Sequence, residues 1–159
     1  MGETNHVALA PQTLLATLTR SPKPHSGAAS EARLAITVLF TSVKPTVAAL
    51  RRAGELASQL NGRITLLVPQ VVPYPLPLAS PQVPIEFNER RFHVIGEESR
   101  VETTVQIYLC RDRNVTVESV LAPRSLVVIG VRRWWPATEK RLIARLRAAG
   151  HDVVVTGTE

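Results

Sequence analysis

The spacing of apolar positions changes several times along the chain, and each change marks an element. LAITVLFT (34–41) is an unbroken apolar run rich in β-branched residues, the pattern of a short strand buried on both faces. In the following SVKPTVAALRRAGELASQLNG, the residues Val47, Leu50, Gly54, Ala57 and Leu60 recur three to four apart. Arg51, Arg52, Glu55 and Ser58 fall mostly elsewhere. This predicts a helix with one apolar stripe, opened by Pro45 in its first turn and stopped at Asn61-Gly62. RITLLVPQVV (63–72) predicts a second strand, completing a βαβ unit with a right-handed crossover.

PYPLPLASPQVP (73–84) carries five prolines. Each lacks a backbone donor, so the segment reads as an extended surface connection. IEFNERRFHVIGEESR (85–100) predicts a helix with Ile85, Phe92 and Ile95 inward and a weak end at Gly96. VETTVQIYLC (101–110) alternates, placing Val101, Thr103, Val105, Ile107 and Leu109 on one face of a strand near a sheet edge, with the other face more polar.

RDRNVTVESVLAP (111–123) predicts a short helix with Asn114 as N-cap and Asp112 supporting its N-terminus. Val117, Val120 and Leu121 form its buried side, and Pro123 ends it. SLVVIG (125–130) is a buried strand ending in a glycine. From 136 to 149 a helix turns Leu142, Leu146 and Ala149 inward, with Ile143 at the margin and Lys140, Arg141, Arg145 and Arg147 opposite. Gly150 stops it, and HDVVVTG (151–157) is a last strand.

Strands and helices therefore alternate, which predicts an α/β fold: an open, doubly wound parallel sheet of five strands. It occupies residues 32–159 as one domain. Residues 1–31 read as a flexible N-terminal arm, because SPKPHSGAAS concentrates Ser, Pro and Gly without a period. Upstream of it, VALAPQTLLATLTR suits either a short helix or a disordered tail. Ligands of such sheets sit beyond the carboxyl ends of the strands, here at 41–44, 69–73 and 130–136.

Composition sharpens this picture in three ways. Of 159 residues, 45% are hydrophobic but only 4% aromatic, so Val, Leu, Ile and Ala must fill the interior, as parallel sheets require. The net charge of +6 favours anionic partners, with solubility as the plain alternative. One cysteine, Cys110, excludes an intrachain disulfide, and His6, His25, His93 and His151 lack metal-ligand spacing, so no metal is expected. Glu3, Pro11, Thr13 and Thr17 do not suit a signal peptide, and no apolar run reaches the roughly 18 residues needed to cross a bilayer. A cytoplasmic protein is the expectation.

Three stretches carry a resemblance. ITVLFTSVKPTVAALRRAGELASQLNGRITLLV, VTVESVLAPRSLVVIG and GHDVVVT together resemble a universal stress protein domain, over about three quarters of the chain. The resemblance implies a flavodoxin-like sheet in the order 3-2-1-4-5. It also implies a homodimer formed through the final strand, whose edge is otherwise unpaired or covered by the N-terminal arm.

The departures concern ATP. Members of that family that bind it carry an Asp at the end of the first strand, where this chain has Thr41, Ser42, Val43 and Lys44. They also carry a glycine after the fourth strand, a second one three positions on, and then Gly-Ser or Gly-Thr. Gly130 matches the first, Arg133 replaces the second, and no Gly-Ser or Gly-Thr follows before the last strand. A phosphate loop brings successive backbone N–H groups onto the anion, and glycines allow the approach. VRRWWP offers bulk and a proline instead. Nucleotide binding in the usual manner is disfavoured and no cofactor is expected. A looser nucleotide or anion site would use Thr41, Ser42, Val43, Gly130, Arg132 and Arg133, the arginines gripping phosphate bidentately.

Arg132, Arg133, Trp134, Trp135, Lys140 and Arg141 are the candidate contact surface, Trp and Arg being the types that most often dominate interfaces. Trp packed on the sheet end and a solvated helix face are the plain alternatives. Cys110 and His151 fall at opposite edges and opposite ends of the expected sheet, so no nucleophile–base pair forms and no enzyme is expected. No helix-turn-helix, zinc finger or RNA-recognition signature is present, so sequence-specific nucleic-acid binding is not expected. The functional expectation is a non-catalytic stress-response or signalling adaptor, dimeric, engaging an acidic or otherwise anionic partner through the Trp/Arg loop. Its rivals are a nucleotide sensor with an altered phosphate site, and a nonspecific binder of nucleic acid or anionic membrane whose affinity would collapse with salt.

Overall fold

The computed structural model describes residues 34–78, 85–134 and 136–158. The arm at 1–31 and Trp135 lie outside them. Five strands, β1 (Ala35–Leu39), β2 (Arg63–Val71), β3 (Thr103–Cys110), β4 (Leu126–Arg132) and β5 (Asp152–Thr158), form a sheet ordered β3-β2-β1-β4-β5 with every pairing parallel. Helices α1 (Val43–Leu60), α2 (Ile85–Gly96), α3 (Arg113–Val120) and α4 (Ala137–Ala148) cross between them, with a 3₁₀ turn at Glu97–Ser99 after α2. The expected fold and strand order are those observed.

The period of two along each strand sorts the core into two layers. Ile36, Val38, Ile64, Leu66 and Val128 face α1 and α2, meeting Ala49, Leu50, Ala53, Ala57, Phe92 and Ile95. Leu39, Leu67, Val127, Ile129 and Val131 face the other way, against Val117 of α3 and Leu142, Ile143 and Leu146 of α4. Phe40 and Phe92 meet edge to face at 4.8 Å, a favoured aromatic geometry.

Local differences from the expected pattern have local causes. The α1 stripe is made of small residues, Ala49, Ala53, Gly54 and Ala57 beside Leu50, and Leu60 is 54% exposed. Small side chains let the helix approach its neighbours closely: a Cβ on Gly54 would strike the Ser99 carbonyl of the 3₁₀ turn. The N-cap of α3 is Asp112, whose carboxylate accepts from the Val115 N–H at 3.0 Å. Asn114 lies inside the helix, because the cap must sit three residues before the amide it serves. Val117 is fully buried, with Val120 and Leu121 half-buried beside it. On α4, Ile143 is buried as deeply as its neighbours, while Ala149 is exposed because the helix ends at Ala148. Gly150 then turns the chain at φ +93°, a conformation a side chain would strain.

Two loop boundaries move. β2 runs through Pro69 to Val71, so most of 69–73 is sheet. Its continuation is held by Arg111, whose guanidinium donates to the carbonyls of Val72 and Leu76, both at 2.8 Å, and stacks 4.1 Å from the centre of the Tyr74 ring. β4 runs on past Gly130: Val131 and Arg132 pair with Gly157 and Thr158 of β5. The fourth strand therefore ends at Arg132 and only residues 133–136 separate it from α4.

Candidate functional site

A cleft of about 220 Å³ opens at the carboxyl ends of β1 and β4, where strand order reverses. Thr41, Ser42 and Pro45 line it from one side, Gly130, Val131 and Arg132 from the other, and Pro136 and Glu139 from the start of α4. Thr41, Ser42, Gly130 and Arg132 of the predicted ligand set thus do come together. Val43 is exposed on the first turn of α1, and Arg133 lies outside the cleft, exposed.

Most polar groups of this cleft are already committed. The Thr41 N–H donates to Oγ1 of buried Thr46 at 3.1 Å, and the Thr41 hydroxyl donates to the Gly130 carbonyl at 2.9 Å. Gly130 shares with Val128 the side of β4 that faces α1, and a Cβ there would collide with the Pro45 backbone. Its φ is ordinary, since Gly150 is the positive-φ glycine of the described residues. Gly130 therefore serves close packing of helix on strand, and Val131 and Arg132 beyond it belong to the β5 ladder.

Glu139 is the residue that sequence reasoning missed. Its side chain is 13% exposed. Arg113 Nη1 donates to its Oε1 at 3.0 Å and the Thr138 hydroxyl to its Oε2 at 3.1 Å. Its carboxylate lines the cleft together with Arg132, its charge balanced by Arg113. The signal was present: Glu139 precedes Leu142 by three, Ile143 by four and Leu146 by seven, the spacing of one helix face. Arg113 lies on another helix, 26 positions away, and no local pattern joins the two.

At the cleft's edge and beyond it the surface is basic. Arg132, Arg133, Lys140, Arg141 and Lys44 are exposed, and their side chains make no hydrogen bond or ion pair among the described residues. Trp134 is 86% exposed, so packing on the sheet end is not its role. Three arginines of α3 and α4 differ: Arg145 holds Glu118 at 2.8 Å, Arg113 holds Glu139, and Arg147 donates to the Val153 carbonyl. The predicted basic helix face is thus reduced to Lys140 and Arg141.

The remaining titratable groups stand apart. Cys110 is buried at the end of β3 with Sγ 3.6 Å from the Gln70 carbonyl, and burial pushes its thiol up, the opposite of an activated nucleophile. His151 precedes β5 on the far edge, where its Nδ1 accepts from the Ser125 N–H at 3.1 Å, which puts the ring proton on Nε2 in this arrangement. Among the described residues no three His, Cys, Asp or Glu side chains gather as a metal would need, and no helix is long and apolar enough to cross a membrane.

No family model matches the sequence, and no curated protein matches it. One similar solved structure is a universal stress protein from Archaeoglobus fulgidus, at 12% identity and a TM-score of 0.48, with 77% of this chain and 92% of that one covered.

Proposed function

We propose that this chain is a divergent universal stress protein-like module that works as a non-catalytic adaptor and docks an anionic partner on its carboxyl edge. One observation carries the reading. At the position where this fold takes ligands, the cleft is small, with Glu139 paired to Arg113 in its wall and Gly130 packed beneath Pro45, while Arg132 at its edge, Arg133 and a Trp134 that is 86% exposed face outward. Unpaired cations around a bare indole are the composition of a contact face. The quoted sequence segments and the strand order support the family resemblance.

Titration calorimetry with ATP, ADP, AMP and cyclic nucleotides tests the adaptor against the sensor. No heat of binding is expected at millimolar nucleotide. Micromolar affinity lost on Arg133→Ala would make the chain a nucleotide sensor instead.

The adaptor is proposed to act as a homodimer through β5. That strand ends the sheet with one edge unpaired by any described strand, and edges of this kind are managed by pairing or cover. Equilibrium sedimentation is expected to return twice the mass of one chain. A single-chain mass across the accessible concentration range removes the dimer.

A further inference from the structure

We infer that the partner is an anionic phospholipid surface, an inference that rests on the docking face proposed above. Five cations of this edge without a side-chain partner come from three separate places: Lys44 from the first turn of α1, Arg132 and Arg133 from the end of β4 and the residue after it, Lys140 and Arg141 from α4. The cleft beside them, which only Arg132 of the five lines, is small and carries a carboxylate, so it offers no groove to seat a peptide or a nucleic-acid strand. It offers instead charges with no fixed register and a projecting ring. A membrane of anionic headgroups needs no register.

The indole supports the same choice. Trp134 touches solvent over most of its surface, and an indole is at home in the headgroup layer, where its ring is half dry and its N–H is wet. Val43, exposed beside Lys44, adds apolar surface to the same edge. Opposite charges are remote: Glu97, Glu98, Glu102 and Asp152 lie toward the amino ends of the strands. Glu139 is held by Arg113, and Asp112 caps α3. Arg63, Arg100 and Arg124 accompany those acids at the amino ends, so what sets the carboxyl edge apart is cations beside an exposed ring with no free carboxylate among them. Each basic residue near such a surface strengthens binding about five-fold.

The test is co-sedimentation of the full chain with vesicles of phosphatidylcholine alone and with about a third phosphatidylserine, at about 0.1 M salt. Binding to the anionic vesicles and not to the neutral ones is expected. Arg132→Gln with Arg133→Gln should weaken it about 25-fold. Trp134→Ala should weaken it several-fold while circular dichroism stays unchanged. No pelleting with anionic vesicles overturns the inference, and so does binding indifferent to Trp134→Ala. Duplex DNA bound more tightly than the vesicles at equal salt would reduce the face to a general polyanion binder and overturn it as well. If vesicles are ignored but poly-glutamate is bound through Arg132 and Arg133, the membrane is lost and the docking face stands. If neither is bound, both are lost.

Discussion

Gly130→Ala is expected to destabilise the domain by about 3 kcal/mol or more, read as a lower midpoint in urea with an unchanged slope. A single methyl group is enough because of what it meets. The Cβ would sit against the carbonyl, carbon and Cα of Pro45, all backbone. A flexible side chain could swing away; this backbone cannot, since Pro45 is buried in the first turn of α1 and the preceding turn is fixed by the Thr41–Thr46 and Thr46–Ser42 bonds. Relief requires α1 to lift from β4, which opens the layer formed by Leu50, Val38 and Val128. The same displacement would stretch the bond from the Thr41 hydroxyl to the Gly130 carbonyl. A variant as stable as the natural chain would mean that Gly130 is not held for packing, and the case for a loop glycine would return.

Glu139→Ala is expected to cost about 2 kcal/mol and to create an anion site. The pair it breaks is neither exposed nor deep: Glu139 is 13% and Arg113 23% exposed. Exposed pairs contribute up to about 1 kcal/mol, whereas removing one partner of a buried pair costs about 3–5 kcal/mol, so the cost falls between. Arg113 would then have lost its partner at Nη1, and its Nη2 is buried with no hydrogen-bond partner among the described residues. A guanidinium left that way favours phosphate or sulfate. Thermal melts should show inorganic phosphate stabilising the variant more than the natural chain, by mass action on the folded state. An equal response of the two proteins would show that Glu139 is not what keeps anions out.

The fold was legible because its signals are local and repeated. Strand-like stretches at 34–41 and 63–72 bracket a helix whose stripe returns every three to four residues, and Asn61-Gly62 stops it where Asn61 is observed at φ 50°. The alternation of 101–110 pointed to an edge strand, and β3 is one. Site chemistry was less legible, because it depends on where elements meet. Gly130 looked like the start of a loop since the residues after it are bulky and basic, yet β5 is long enough to pair two residues further, and a strand's end is set by its neighbour as much as by itself. Asp112 was overlooked as a cap in favour of Asn114, though only Asp112 stands three residues before the amide it receives. Glu139 shared a helix face with Leu142 and Leu146, but its ion partner lies on α3, out of reach of any period.

The brevity of the β4–α4 connection has one more result. Four residues join the strand that ends at Arg132 to the helix that begins at Ala137, too short a span to fold down as a flap over a small molecule. A partner docking on this end as proposed would meet it from outside, without being enclosed.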